Sequence, residues 1–341
     1  MVRILYAIQG TGNGHLSRAM DVIPCLMQHG EVDILISGIQ SDLTLPYAIK
    51  YRLRGLSFIF GKSGGVDLWK TLVKSNVRKL VKEIRELPVE NYDLVINDFE
   101  PVSAWACYTK NLPCIGLSHQ SAVLADESPT ADVTDMMGRL ILNNYAPNTV
   151  KYGFHFKPYA KDIYTPVIRK QVRDQTLENG DHYTVYLPSY DDKRLILKLS
   201  QFKNVQWDVF SKHNKKAFNS KNISIQPIHN DKFIKSMARS AGVLCGAGFE
   251  TPAEALFMKK KLLVIPMRNQ YEQQLNAAAL KNMGVPVIKS LKEKYDMVIA
   301  SWLENNNTVV VDYPDITSEI IARIIFNHSN NAEFLGIKNI R

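Results

Sequence analysis

Two glycine-rich turns carry the residue types that chemistry would need. The later one reads Gly246-Ala247-Gly248-Phe249-Glu250-Thr251-Pro252-Ala253-Glu254, and Gln273-Gln274-Leu275-Asn276 follows it. A glycine turn that opens a helix bares backbone N–H groups, so Gly246 and Gly248 suit a phosphate. Phe249 and Thr251 belong to the same turn. Glu254, one turn inside the helix, suits a pair of ribose hydroxyls as a charged acceptor. Thr251 to Glu254 also fits a capping box with proline at the first helical position, a purely structural role. Gln273 and Gln274 both donate and accept, which suits sugar hydroxyls, or they simply form a wet first turn.

The earlier turn is Gly10-Thr11-Gly12-Asn13-Gly14-His15, with Arg18 one helical turn on. Gly12, Asn13 and Gly14 suit a phosphate or an acceptor. His15 is the candidate general base, because imidazole titrates near neutrality. A helix-capping or phosphate-facing histidine is the bland alternative. Arg18 would neutralise phosphate from the same face, or form a surface ion pair. Asp98 and Glu100 end another apolar run and are expected at a cleft rim, as alternative bases, acceptor contacts or solvated loop carboxylates.

The elements that would position these residues form an α/β pattern. Apolar runs at 2–8, 32–36, 93–98 and 114–118 predict strands, with a helical pattern after Gly14. The pattern restarts with strands at 183–187, 207–210, 223–227, 242–245 and 262–266, and helices at 194–202 and 233–239. Residues 158–180 are polar and broken by Pro166, which suits a linker. We expect an N-terminal Rossmann-like domain over 1–160 and a C-terminal one over 181–315. A last helix within 316–341 would pack across the junction. Ligands of such sheets bind at the carboxyl ends of the strands, where both glycine turns lie.

Composition narrows the partners. A chain of 341 residues is long enough for two domains. No run reaches the ~20 apolar residues of a membrane span, and residues 2–8 are too short for a signal peptide. The cysteines at 25, 107, 114 and 245 are scattered, as in a cytoplasmic protein with reduced thiols. The net charge is +9, with the first 160 residues close to neutral. No arginine stripe interleaved with aromatics appears, so nucleic acid is not expected. From Val66 to Leu87, apolar residues recur at helical spacing between Lys70, Lys74, Arg78, Lys79 and Lys82. That basic amphipathic helix packs on the sheet or lies peripherally on a membrane surface.

In combination these motifs resemble the GT-B glycosyltransferases, above all the MurG-like and UDP-glucuronosyltransferase-like branches. The resemblance rests on Thr251-Pro-Ala-Glu254-Ala255, Leu262-Leu-Val-Ile-Pro266, Glu272-Gln-Gln-Leu-Asn-Ala277 and Gly12-Asn-Gly-His15, in the family's order. Three positions depart from it. Cys245 replaces a usual histidine, Lys260-Lys261 stand where glycine and proline are common, and Pro188-Ser-Tyr-Asp191 is not a glycine-rich loop. The resemblance implies two facing Rossmann-like domains and a metal-independent transfer from a nucleoside diphosphate sugar, as UDP-sugar, with no bound cofactor. It implies Glu254 on the ribose, Gln273 and Gln274 on the sugar, and His119, Gln120 and Ser121 on the acceptor, which in MurG-like enzymes is lipid-linked. Asp191-Asp192 is expected in a surface loop, not as a metal-binding pair. The rivals are a UDP-sugar hydrolase or 2-epimerase of the same fold, a non-catalytic nucleotide-sugar sensor and an NAD-dependent dehydrogenase. The last lacks an acidic residue cleanly placed at the end of the second strand.

Overall fold

The structure, a computed structural model, describes residues 1–38, 45–56, 77–131 and 135–329. Its first sheet holds β1 (Val2–Gln9), β2 (Gly30–Ser37), β3 (Tyr51–Leu53), β4 (Leu94–Asp98), β5 (Ile115–Ser118), β6 (Val150–Phe154) and β7 (Ile163–Tyr164). The strand order is β3-β2-β1-β4-β5-β6-β7, and every pairing is parallel. Central strand β1 is wholly buried from Ile4 to Ile8, as a parallel strand covered on both faces must be. Ile4, Tyr6 and Ile8 face one core cluster and Leu5 and Ala7 the other, the period of two that a strand imposes.

The second sheet holds β8 (His182–Tyr186), β9 (Gln206–Ser211), β10 (Phe218–Ser220), β11 (Ile223–Pro227), β12 (Gly242–Gly246) and β13 (Lys261–Ile265). Its order is β10-β11-β9-β8-β12-β13, and only the edge strand β10 runs antiparallel. The short strands β3, β7 and β10 carry too few residues for an alternating pattern to stand out in sequence.

Helices cover both sheets. They are α1 (Gly14–Met27), α2 (Val77–Glu86), α3 (Pro101–Thr109), α4 (His119–Val123), α5 (Met136–Tyr145), α6 (Lys170–Arg173), α7 (Asp192–Leu199), α8 (Asn230–Arg239), α9 (Glu250–Phe257), α10 (Tyr271–Asn282), α11 (Asp296–Glu304) and α12 (Thr317–Ser329). Of the expected basic helix, residues 77–86 are α2, and 66–76 lie outside the described residues.

The segment between the sheets is not the exposed polar linker that its composition suggests. Ile163 and Tyr164 form strand β7, and Val167, Ile168 and Val172 are buried in the same apolar cluster as α1 and α9. Helix α12 then returns to pack against α1, with Arg323 on Asp162 at 3.1 Å. No described helix is long and apolar enough to cross a membrane.

Candidate functional site

Each sheet reverses its winding at one point, and a crevice opens there beyond the strand ends. In the first sheet the reversal lies between β1 and β4, where Ile8 pairs with Asp98. The Gly10–Gly14 turn leaves β1 and residues 98–100 leave β4, so both border that crevice. In the second sheet the reversal lies between β8 and β12, and the Gly246–Gly248 turn leaves β12.

His15, Arg18 and Asp98 meet in the first crevice. His15 Nδ1 lies 2.8 Å from Asp98 Oδ1. One Arg18 terminal nitrogen donates to both Asp98 oxygens, at 2.7 and 2.8 Å. Arg18 is only 2% exposed and Asp98 is fully buried, so neither is the surface or rim group expected. Burial works against the Asp98 charge, but Arg18 and then His15 outweigh it and hold the carboxyl below its usual range. Burial also opposes charge on His15. Asp98 outweighs that, Glu250 adds to it, and the imidazole stays above its ordinary value. The next residue, Phe99, sits at φ 55°, a strained conformation for an aromatic residue. Its ring lies nearly parallel to the His15 ring, with centroids 6.4 Å apart.

Glu100 is not a base at the rim. It is fully buried and N-caps α3, accepting from Val102 N and Ser103 N at 2.7 Å each. Burial pushes its carboxyl up against the hydroxyls of Ser103 and Ser37. The sequence Glu-Pro at a helix start was the available signal for this cap.

On the facing side, neither Gly246 nor Gly248 has a positive φ. A Cβ on Gly248 would meet nothing within 4 Å, and one on Gly246 would make only ordinary contacts, with Gln273 Oε1 at 3.7 Å and Ile265 O at 3.9 Å. Backbone strain and packing therefore do not demand glycine there, whereas close approach of a ligand would. Gly12 differs, with φ 87° in the left-handed region and equally open space. Asn13 stands at the N-cap of α1, its carbonyl accepting from Ser17 N at 2.9 Å.

The capping box does not form, because α9 begins two residues earlier than it requires. Phe249 is its N-cap and Glu250 and Thr251 open the first turn. Glu254 is 2% exposed, and Arg169 grips it from Nε and a terminal nitrogen at 2.5 and 2.8 Å. Both carboxylate oxygens are thus engaged by an arginine from the inter-sheet segment, not held open for a ribose. Burial pushes the Glu254 carboxyl up and Arg169 pulls it back. Gln273 Oε1 accepts from Met267 N at 2.9 Å, whereas Gln274 Oε1 is buried with no partner among the described residues.

Two of the acceptor-side candidates, His119 and Gln120, turn out to bridge the domains, whereas Ser121 bonds within its own. His119 Nδ1 donates to Phe154 O at 2.8 Å, and Nε2 lies 2.7 Å from Asn276 Oδ1. Its ring stacks on Phe249, 3.8 Å between centroids, and burial pulls its pKa down. Gln120 donates to Glu272 at 3.0 Å. Ser121 Oγ pairs with Ser118, which caps α4. Asp191 caps α7 through Arg194 N, and no metal-binding cluster occurs among the described residues.

Sequence reasoning passed over Glu250. Its carboxylate crosses between the domains to Arg18 at 2.6 Å. An acidic residue directly after a phosphate-type glycine turn was the signal, since it opposes the charge expected there.

The profile of glycosyl transferase family 1 matches residues 2–306. Among curated proteins no sequence match is found. Solved structures similar to the chain include MurG of Acinetobacter baumannii, 14% identical over 95% of this chain and 99% of that one, with a TM-score of 0.54. A UDP-glucosyltransferase of Polygonum tinctorium that glucosylates indoxyl is 13% identical over 99% and 97%, with a TM-score of 0.59. An Arabidopsis thaliana UGT complexed with UDP is 13% identical over 98% and 92%, with a TM-score of 0.54. At these identities the likeness establishes the fold, two Rossmann-like halves of GT-B type. The profile supplies what the likeness alone does not: the chain belongs to glycosyl transferase family 1 and is a glycosyltransferase.

Proposed function

We propose that the protein transfers a sugar from a nucleoside diphosphate sugar, with UDP as the carrier, to an acceptor hydroxyl, without a metal. The observation that carries this reading is the His15–Asp98 contact of 2.8 Å in the first crevice. With Nδ1–H donated to Asp98, Nε2 keeps the lone pair that a general base needs. The acceptor O–H gives its proton to His15 Nε2 while its oxygen bonds to the anomeric carbon. The bond from that carbon to the diphosphate breaks, and its electron pair leaves with the phosphate.

The open turn at Gly246 and Gly248, backed by the dipole of α9, would receive the leaving diphosphate in place of a metal. Gln274, with a buried oxygen that has no partner among the described residues, suits a sugar hydroxyl. Glu254 would act on the donor through Arg169, as a brace for α9. His119, Gln120 and Ser121 would shape the acceptor side from behind. UDP is favoured because relatives are a UDP-glucosyltransferase and a UDP complex by name. A lipid-linked acceptor reached from a cytoplasmic membrane surface fits the exposed Val77 and Val81 on basic helix α2, and the exposed Met136, Met137 and Leu140 on α5.

The test is calorimetric binding of UDP, GDP, dTDP and NAD to the wild type and to Gly248→Val, with product analysis of the corresponding sugar nucleotides. Binding of UDP alone, lost in the variant, is expected. Binding of NAD alone would overturn the reading. Free sugar formed in the presence of candidate acceptors, with no transfer product, would point to a hydrolase instead.

A further inference from the structure

The Arg18 guanidinium stands between two carboxylates from different domains. One terminal nitrogen holds Asp98 and lies 3.1 Å from His15 Nδ1, and the other holds Glu250. Glu250 is the first residue of α9, directly after the open glycine turn. A Cβ placed on Gly14 would lie 2.5 Å from Glu250 Oε2, so this carboxylate rests against the first turn of α1. Arg18 and Asp98 are buried and His15 is nearly so, so these three act on one another with little screening, whereas Glu250, 25% exposed, is partly screened by solvent. The groups facing His15 are Asp98 from β4, Arg18 from its own helix and Glu250 from α9. The phenol of Tyr6 on β1 borders Asp98 and Arg18.

We infer that Glu250 is a positioning residue that couples cleft closure to the strength of the catalytic base, acting through Arg18. When the domains meet, Glu250 shares the Arg18 charge. Asp98 is then less neutralised and supports a proton on His15 more strongly. When the domains part, Arg18 is left to Asp98 alone and His15 becomes a weaker base. The Glu250 share of the base strength is thus added only in the closed molecule, on top of what Asp98 supplies from the same domain. The inference takes the base role of His15 from the proposed function, but the coupling itself is a property of the four side chains.

The signs agree with the local charges. Both Asp98 and Glu250 raise the proton affinity of His15, and Arg18 lowers it.

The experiment follows the His15 ring by NMR titration of histidine-labelled protein without substrate, in the wild type, Glu250→Gln and Gly14→Ala. His15 is assigned by its loss in His15→Ala. The acid limb of kcat/KM is measured in parallel. Glu250→Gln removes the charge at constant size, whereas Gly14→Ala keeps every charge and pushes the carboxylate away from Arg18. Both are expected to lower the His15 midpoint, Glu250→Gln by about half a unit, a threefold change in proton binding. The acid limb should move by the same amount. Glu250→Asp should restore part of the shift.

An unchanged His15 midpoint in both variants overturns the coupling, whatever the activity. If Glu250→Gln does not fold, Gly14→Ala decides the question alone. A lowered midpoint in a protein that turns over no sugar nucleotide leaves the coupling standing and removes the transferase reading instead.

Discussion

At the scale of single residues, the proposed base His15 has its partner 83 positions away. In the proposed mechanism Asp98 accepts from His15 Nδ1–H and so holds the base in its active tautomer; Asp98→Asn should leave substrate binding nearly intact and lower kcat by roughly 10²–10⁴-fold. Because Asp98 raises the His15 pKa, the same change should move the acid limb of the pH–rate profile downward. A rate profile with the limb unmoved would count against Asp98 as the partner. The residue types at this site were legible in the sequence. Their pairing was not, since nothing in the chain near Gly14 says that β1 and β4 are neighbours. Glu250 and Arg169 escaped for the same reason, because each has its partner in another part of the fold.

At the scale of elements, the glycine turn and the helix starts invite two tests. Gly248 has ordinary backbone angles and open space for a methyl group. Gly248→Ala should therefore keep its melting temperature while losing about tenfold in nucleotide affinity, 1.4 kcal/mol, if a phosphate lies against that turn. Stable protein with unchanged affinity would remove the turn from the donor site. Glu100→Ala removes the side chain that satisfies two buried N–H groups of α3. It should cost about 1–3 kcal/mol in denaturant unfolding, with the m-value unchanged. The long strands and their following helices were readable because apolar runs and glycine turns mark them locally. The start of α9 lies two residues before the Thr251 cap that the sequence suggests, within the usual scatter of helix boundaries.

At the scale of the molecule, buried neutral histidines set the response to acid. Burial, with His119 nearby, pushes His155 down to about 2, and burial also lowers His119 and His328. A depressed pKa means that the unfolded chain takes up protons the folded one refuses. The stability these three contribute is present above 6.5 and is lost as pH falls below it. His15, with a raised pKa, contributes in the opposite direction, below 6.5. Among the histidines three oppose one, so replacing His119, His155 and His328 together should flatten the fall of the denaturant midpoint between pH 7 and pH 5; an unchanged slope would contradict the burial described. Glu254→Ala would strand Arg169 as a lone buried charge, at a cost of about 3–5 kcal/mol.

The chain crosses between its two sheets twice, once outward through residues 165–181 and once back through residues 305–316. The two crossings are tied together, since Arg173 donates to Tyr313 O at 2.9 Å and the Tyr313 hydroxyl donates to Phe156 O at 3.1 Å. A door on a single pin can swing and twist, whereas one on two pins can only swing. The halves of this molecule are hung in the second way. An opening of the cleft would then be confined to one arc, and a return along it would bring Glu250 back to Arg18 and Asn276 back to His119 in the same register.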